Sequence, residues 1–294
     1  MTAVRKAIIP VAGLGTRLLP VTKSQPKEML PVGRKPTVQY IVEEMEHAGI
    51  DQILLVTGRK KSSIEDHFDP DPDLIQRLSE SGNAELIDAM QYLETGSTFF
   101  YTRQSTPRGN GDAVRLGRDF IGGDPFIVAF GDSIIFTPGP QTLLSRMHHV
   151  MEAEHASCVL AVEEVAPEDA YKYGVVRPKG DVGDWFEIDD LVEKPAPGLA
   201  PSNLAIAARY LFSPDVFPAI ELTMPGKGGE IWLADSIRVL MRQSKKVCCV
   251  RLAAGEKRYD IGNFESYFKA FVDFALADER YGYLLRQHLQ QRIG

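Results

Sequence analysis

Residues 7–20 read AIIPVAGLGTRLLP, and this stretch decides the fold. Its first five residues form a continuous apolar run, which is typical of a parallel strand buried on both faces. The strand opens into Gly13 and Gly15, where backbone N–H groups can approach a phosphate because no side chain blocks them. No Gly-Lys-Ser/Thr follows, as a Walker loop requires, and Leu18 stands where the dinucleotide fingerprint needs a third glycine. The segment therefore predicts either a phosphate-binding turn outside both motifs or an ordinary tight turn.

Composition limits the class of protein. The 294 residues suffice for one large domain or two small ones, and 44% of them are hydrophobic, so we expect a globular chain. The net charge of −7 argues against a nucleic-acid partner that binds through whole-surface attraction. The three cysteines form no CxxC motif, which favours a reducing compartment. Since no run of 18 apolar residues occurs, we expect no membrane partner and a cytoplasmic location.

The first half of the chain alternates strands with helices. Residues 53–57 and 126–130 repeat the continuous apolar pattern of residues 7–11, which places all three strands in a parallel sheet. Helical spacing predicts a crossover helix over 37–48 and a second helix over 112–120. Residues 70–95 are also helical in pattern and are interpreted as a surface excursion from the sheet.

The second half changes character. Longer alternating strands are predicted over 158–165, 174–177 and 204–212, which indicates an antiparallel or mixed extension that shares the core of the first half. Residues 231–241 and 264–276 are predicted to be amphipathic helices, and helical pattern continues over 280–293. We therefore expect a single domain.

Cations follow the glycine turn in this net acidic chain. Arg17 is followed by Lys23 and Lys27 in a proline-punctuated loop, an arrangement that a polyphosphate ligand explains best. The whole pattern, GxGTRLxPxTxxxPKxMLPxxxKP, resembles the signature of the sugar-1-phosphate nucleotidyltransferases. This resemblance implies an α/β, Rossmann-like glycosyltransferase-A type fold, with a mostly parallel central mixed sheet flanked by helices. It also implies a nucleotide-binding half (1–135), a sugar-binding half (136–262) and C-terminal helices (263–294) that contact another subunit.

Later segments resemble the bacterial UTP:glucose-1-phosphate uridylyltransferases in order and spacing, and the resemblance covers nearly the whole chain. They are Gln104-x4-Gly109-x-Gly111, Gly131-Asp132, and residues 173–176, 192–195, 201–205, 229–231 and 260–263. The resemblance implies transfer of a uridylyl group from UTP to glucose 1-phosphate, which gives UDP-glucose and pyrophosphate. It further implies Mg2+ as cofactor and a homo-oligomer, either a dimer or a tetramer.

The resemblance also assigns roles to individual residues. Catalytic roles fall on Arg17, Lys27 and Lys194; nucleotide binding on Ala12, Gly13, Gly15, Thr16, Gln104 and Gly109; sugar binding on Gly174, Glu193 and Lys194; and metal binding on Asp132 and Asp260.

Simple chemistry supports some of these roles and leaves alternatives open. Asp132 closes an apolar strand, where a parallel sheet presents ligand-binding groups, and its carboxylate suits Mg2+; a solvated turn is the alternative. Asp260 is either the second metal ligand or the N-terminal cap of the helix near Asn263. Gln104 can pair with a base edge or lie in a polar loop, and its amide can serve uracil or cytosine because it can flip.

The roles of the predicted sugar-binding residues also have alternatives. Strand alternation predicts that Glu193 and Lys194 point to opposite faces, where they grip the sugar hydroxyls and phosphate; a surface ion pair is the alternative. Gly174 either brings backbone near the sugar or is a structural strand glycine.

Four positions depart from the family pattern: Asp112, Ser133, Trp232 and Ala234. They leave another base or hexose open as substrate. They also leave open a non-catalytic paralogue that binds a nucleotide sugar and regulates an active partner.

Overall fold

The computed structural model describes residues 3–94, 96–139 and 142–293. The strands are β1 Lys6–Pro10, β2 Pro31–Val32, β3 Lys35–Pro36, β4 Gln52–Thr57, β5 Thr98–Arg103, β6 Phe126–Ala129, β7 Ser133–Phe136, β8 Cys158–Glu164, β9 Gly174–Pro178, β10 Trp185–Glu193, β11 Leu204–Phe212, β12 Val247–Arg251 and β13 Lys257–Asp260. The α-helices are α1 Thr37–His47, α2 Ser62–Phe68, α3 Pro72–Ser81, α4 Ala84–Ala89, α5 Asn110–Arg115, α6 Arg118–Ile121, α7 Leu143–Glu154, α8 Val216–Leu222, α9 Leu233–Arg242, α10 Phe264–Ala277 and α11 Gly282–Ile293.

A nine-stranded mixed sheet forms the centre of the molecule, in the order β5-β4-β1-β6-β11-β8-β12-β10-β9. β5, β4, β1 and β6 are parallel to one another. Among the described strands of the second half, β8 and β12 pair in parallel and the other pairings are antiparallel. The mixed sheet was predicted correctly, but "mostly parallel" describes the first half alone. The reason is connection length: residues 179–184 join β9 to β10, too few for the crossover that parallel strands require.

The far end of this sheet curls back on itself. β9 pairs with β10 along its length and also reaches β11 through Val175 and Ala205. The strands β11, β8, β12, β10 and β9 thus close into a small ring beside the parallel half.

Two apolar layers cover the sheet. On β1, Ala7 and Ile9 face the layer that contains α1, α2 and α7, whereas Ile8 faces the layer that contains α5, α8 and α9. This two-sided burial is what the continuous apolar run predicts. The predicted helix over 112–120 is instead broken into α5 and α6. A Cβ at the intervening Gly117 would lie 2.4 Å from Ile8 Cδ1, so the backbone there packs directly on β1.

The predicted surface excursion is present as α3 and α4, which bury none of their residues. Within the described ranges, every helix is too short or too polar to cross a lipid bilayer.

Candidate active site

A pocket of about 430 Å³ opens where the parallel strands end. Pro10 ends β1, while Gln104 and Phe130 directly follow β5 and β6, and all three line the pocket. Ligands of open α/β sheets bind at this carboxyl edge. The lining comprises Pro10, Ala12, Gly13, Leu14, Gly15, Thr16, Arg17, Lys27, Glu28, Gln104, Pro107, Gly109, Asn110, Ala113, Phe130, Asp132, Glu230, Trp232 and Gly262. The predicted nucleotide-binding residues therefore share one pocket with Arg17, Lys27 and Asp132.

The glycine loop is held in shape by its own side chains. Gly15 has a φ of +64°, a left-handed conformation that favours glycine, and its carbonyl accepts a hydrogen bond of 2.7 Å from Thr22 Oγ1. A short 3₁₀ turn over Thr16–Leu18 follows, in which Leu18 is buried and Arg17 is exposed. The hydrogen bond from Thr22 and the buried Leu18 thus anchor the loop to the rest of the protein, while its backbone and Arg17 face the pocket.

An ion pair lies at the floor of the pocket. Lys27 Nζ donates to Asp132 Oδ2, and both side chains are mostly buried. Burial on its own lowers the pKa of Lys27, but the charges of Asp132, Glu28 and Asp260 outweigh it and raise that pKa. Burial likewise opposes the charge of Asp132, yet Lys27 holds the pKa of this carboxyl below its ordinary value. Both groups are therefore charged, which suits a site for a polyphosphate and a cation.

A short ribbon brings Asp260 beside Asp132. β13 pairs antiparallel with β7 so that Asp260 lies opposite Ser133, and Ile261 N–H donates to the Asp132 carbonyl at 2.8 Å. Burial, and then the charge of Asp132, raise the pKa of Asp260. The alternative role of Asp260 as a helix cap is wrong, because Asn263 Oδ1 accepts from Ser266 N–H at 3.0 Å and caps α10 itself.

These two carboxylates fit a divalent cation. Asp132 lines the pocket and the β7–β13 ribbon places Asp260 beside it, and their mutual repulsion is relieved by positive charge. No cluster of three or more His, Cys, Asp or Glu side chains in the described part of the chain could enclose an ion. An ion at Asp132 and Asp260 would therefore take its remaining ligands from water and phosphate, which is how Mg2+ usually binds.

Gln104 is held firmly in the pocket wall. Its backbone N–H donates to Thr57 O at 2.9 Å, and its side-chain Nε2 donates to Gly109 O at 3.1 Å and Asp112 Oδ2 at 2.8 Å. A Cβ at Gly109 would lie 2.4 Å from the carbonyl oxygen of Ile231. This close packing is a structural reason for a glycine at position 109, and the sequence did not reveal it.

The sugar-binding residues predicted from sequence do not line the pocket, but Lys194 reaches its wall at Trp232. Gly174 pairs with Glu193 where β9 meets β10, and a Cβ at Gly174 would lie 2.9 Å from Glu193 Oε2. Lys194 Nζ lies 3.3 Å from Glu193 Oε1 and 4.3 Å from the centre of the Trp232 ring. The prediction that the two charged side chains diverge is wrong. β10 ends at Glu193 and Lys194 has a φ of +47°, so strand alternation no longer applies.

Sequence reasoning assigned no role to Glu28, which lines the pocket floor. This residue is buried and pairs with Lys61, Oε2 to Nζ, at 2.6 Å. Burial raises the pKa of Glu28, whereas Lys61 and Lys27 oppose that shift. The feature of the sequence that could have identified Glu28 as a site residue is its position directly after Lys27.

The four departures from the family pattern also have defined surroundings. Asp112 and Ser133 are buried polar residues, and Ala234 is part of the apolar layer around α9. Trp232 lies in the pocket wall, where it contacts Lys194.

Comparisons with known proteins agree with this geometry. A family model described as nucleotidyl transferase matches residues 6–276. The chain is 42% identical over 281 residues to a UTP--glucose-1-phosphate uridylyltransferase of Bacillus subtilis, covering 95% of this chain and 94% of the relative. It is 41% identical over 291 residues to the Staphylococcus epidermidis protein of the same name, covering 99% of both chains.

Solved structures give the same result. A UTP-bound UGPase from Acinetobacter baumannii superimposes with a TM-score of 0.89 at 33% identity, covering 98% of this chain and 99% of that one. A UDP-glucose pyrophosphorylase complexed with UDP-glucose gives a TM-score of 0.84 at 36% identity, covering 94% and 100%. The chain therefore belongs to the nucleotidyl transferase family, and its similar relatives described above are bacterial UTP--glucose-1-phosphate uridylyltransferases.

Proposed function

We propose that this protein transfers a uridylyl group from UTP to glucose 1-phosphate, giving UDP-glucose and pyrophosphate. The observation that carries the proposal is the single pocket in which the glycine loop, the Lys27–Asp132 pair and Gln104 meet. The relatives and structural neighbours that share this pattern over nearly the whole chain are named for UTP and UDP-glucose. The parallel strands that end at the pocket support the finer assignment of a Rossmann-like glycosyltransferase-A type fold.

The proposed reaction needs positioning and charge neutralisation, with no covalent intermediate. A phosphate oxygen of glucose 1-phosphate attacks the α-phosphorus of UTP in line, and a new P–O bond forms there. The bond between the α-phosphorus and the bridging oxygen breaks, and pyrophosphate leaves with the electron pair. Arg17 and Lys27 hold the phosphates against their mutual repulsion, while the backbone of Ala12, Gly13, Gly15 and Thr16 supports them.

Mg2+ is the cofactor we propose, held by Asp132 and Asp260. When bound, it neutralises charge on the phosphates. Lys27 keeps Asp132 ionised and in place, and the β7–β13 ribbon fixes the spacing of the two carboxylates.

The sugar phosphate is proposed to bind at the rim next to Trp232. Lys194 supplies a cation for the phosphate and Glu193 an acceptor for sugar hydroxyls. Because Gly174 has no side chain, the Glu193 carboxylate fits beside it.

We also propose the organisation of the chain that the resemblance implies: a nucleotide-binding half over 1–135 and a sugar-binding half over 136–262 in one domain. The C-terminal helices over 263–294 would contact another subunit in a dimer or tetramer. On α10, Phe268 is 59% exposed and Val272 is 42% exposed, which supports an interface there. The buried free thiols of Cys158, Cys248 and Cys249 are compatible with the reducing cytoplasm.

A substrate panel tests the activity. Pyrophosphate release is measured for each nucleoside triphosphate with each hexose 1-phosphate, in Mg2+ and in chelator. We expect UTP with glucose 1-phosphate and Mg2+ to give the highest kcat/KM. If a different pair is preferred, the proposed substrates are wrong but the proposed type of reaction still holds. Tight UDP-glucose binding without turnover of any pair would instead support the regulatory paralogue.

A further inference from the structure

The Asp112 carboxylate accepts three hydrogen bonds from a nearly buried position at the start of α5. Its Oδ2 accepts from Gln104 Nε2 at 2.8 Å, and its Oδ1 accepts from Arg115 Nη2 at 2.8 Å and from Arg115 Nε at 3.3 Å. Only 7% of the Asp112 side chain is exposed. An ionised carboxylate can only accept hydrogen bonds, so whatever faces Oδ2 must be a donor.

This contact fixes the orientation of the Gln104 amide. The same nitrogen, Nε2, also donates to the Gly109 carbonyl at 3.1 Å, so both of its N–H groups are used. A flipped amide would place Oε1 against two acceptor oxygens and leave the nitrogen without these partners. In a buried position that arrangement is costly.

The fixed amide presents only its oxygen to the pocket. Among the described residues, none donates a hydrogen bond to Gln104 Oε1, whereas Gln104 itself lines the pocket. A base that reaches this wall therefore meets an acceptor and no amide donor. Uracil offers such an acceptor the N–H of its N3 ring position, whereas cytosine carries a lone pair at N3 and has its donor on the neighbouring exocyclic N4 amino group. The discrimination therefore applies to an amide oxygen that meets the base at N3.

We propose that Asp112 is a specificity-determining residue that locks the Gln104 amide and so selects UTP over CTP. The inference rests on the proposed function and deepens it, because it concerns the base of the same nucleotide substrate. Asp112 is a positioning residue, since it acts through Gln104 and does not touch the base. Without its carboxylate, only Gly109 O would favour one orientation, and the amide could rotate to offer N–H to cytosine.

The test compares kcat/KM for UTP and for CTP, each with glucose 1-phosphate, in the wild type and in Asp112→Ala. We expect the wild type to prefer UTP strongly and the variant to lose at least about tenfold of that preference, because a free amide can serve either base. Calorimetric titration with UTP and with CTP should show the same change in relative affinity without depending on turnover. A structural role alone would weaken both nucleotides together and leave their ratio unchanged.

Arg115→Met is the matched control, because it removes the other partner of Asp112 and leaves the carboxylate on Gln104. We expect its UTP-to-CTP ratio to stay within about threefold of the wild type. If Asp112→Ala does not fold, Asp112→Ser replaces it, since a hydroxyl both donates and accepts and cannot fix the amide.

The two proposals fail in different ways. A wild type that releases no pyrophosphate from UTP overturns the proposed function. A wild type that is active with UTP overturns this inference if it does not discriminate against CTP, or if its ratio survives in the Asp112 variant.

Discussion

Gly262 is the position where one added methyl group best tests the geometry of the phosphate and metal region. A Cβ there would lie 2.8 Å from Arg17 Nη2 and 2.8 Å from Asp260 Oδ1. Its backbone is outside the left-handed region, so Gly262→Ala adds no backbone strain. The substitution removes no charge and no hydrogen-bonding side chain. The atoms nearest to the added methyl group belong to Arg17 and Asp260, so the substitution acts first on the positions of these two side chains.

The distances set the expected size of the effect. Ordinary contact begins at 3.4 Å, so each neighbouring group must retreat by about 0.6 Å. Arg17 is exposed and can move, whereas the backbone of Asp260 is held by the β7–β13 ribbon, so its carboxylate can retreat only by rotating the side chain. Displacements approaching 1 Å at reacting groups cost up to about 100-fold in rate. We expect kcat/KM to fall about 10- to 100-fold, which corresponds to about 1.4 to 2.7 kcal/mol, and stability to change by less than about 1 kcal/mol.

Steady-state kinetics with UTP, glucose 1-phosphate and Mg2+ measures the first quantity, and thermal unfolding measures the second. Gly123→Ala is the matched control, because a Cβ there meets nothing within 4 Å and the backbone is again ordinary. It should be as active as the wild type. If Gly262→Ala is equally active and equally stable, Arg17 and Asp260 do not act at the reacting phosphates and their proposed roles are wrong.

Three other experiments test the remaining parts of the site. Lys27→Met should lower kcat by about 100-fold or more and also lower the melting temperature, since it leaves the Asp132 carboxylate without its partner; unchanged values in both assays would remove Lys27 from the site. Asp132→Asn and Asp260→Asn should each weaken the dependence of turnover on Mg2+, and the double variant should be little worse than the poorer single one; full activity in Asp260→Asn alone would break the pair. Trp232→Leu should raise KM for glucose 1-phosphate about two- to fivefold with a smaller effect on kcat, because Lys194 loses its contact with the ring; an unchanged KM would mean that Trp232 does not position Lys194.

The first half of the fold could be predicted because its signals are local. β1, β4 and β6 are continuous apolar runs, and their burial on both faces of the sheet follows directly from that pattern. The glycine loop and its cations lie within twenty residues of β1, so the phosphate-binding end of the pocket was visible in the sequence as well.

The floor of the site could not be predicted from local patterns. β7 and β13 are four residues each, too short to show a period, and their pairing joins positions 133 and 260. The ion pair between Lys27 and Asp132 spans 105 positions. The sequence motifs suggested that Asp260 belonged with Asp132, but only the structure excludes the helix-cap alternative, because Asn263 caps α10 itself.

The segment that carries Ile231 and Trp232 lies between the loop that holds Gln104 and the side chain of Lys194. Ile231 N–H donates to Arg108 O at 2.8 Å, and its carbonyl accepts from Gly111 N–H at 2.9 Å, which ties this segment to the loop that holds Gln104. The next residue, Trp232, contacts Lys194 on the other side. Because these contacts are one residue apart, the wall proposed for the base and the cation proposed for the sugar phosphate are held by the same short stretch of backbone. A shift of this segment therefore moves both, so variants there should alter nucleotide and sugar-phosphate binding together, whereas variants of Asp112 should alter the nucleotide preference alone.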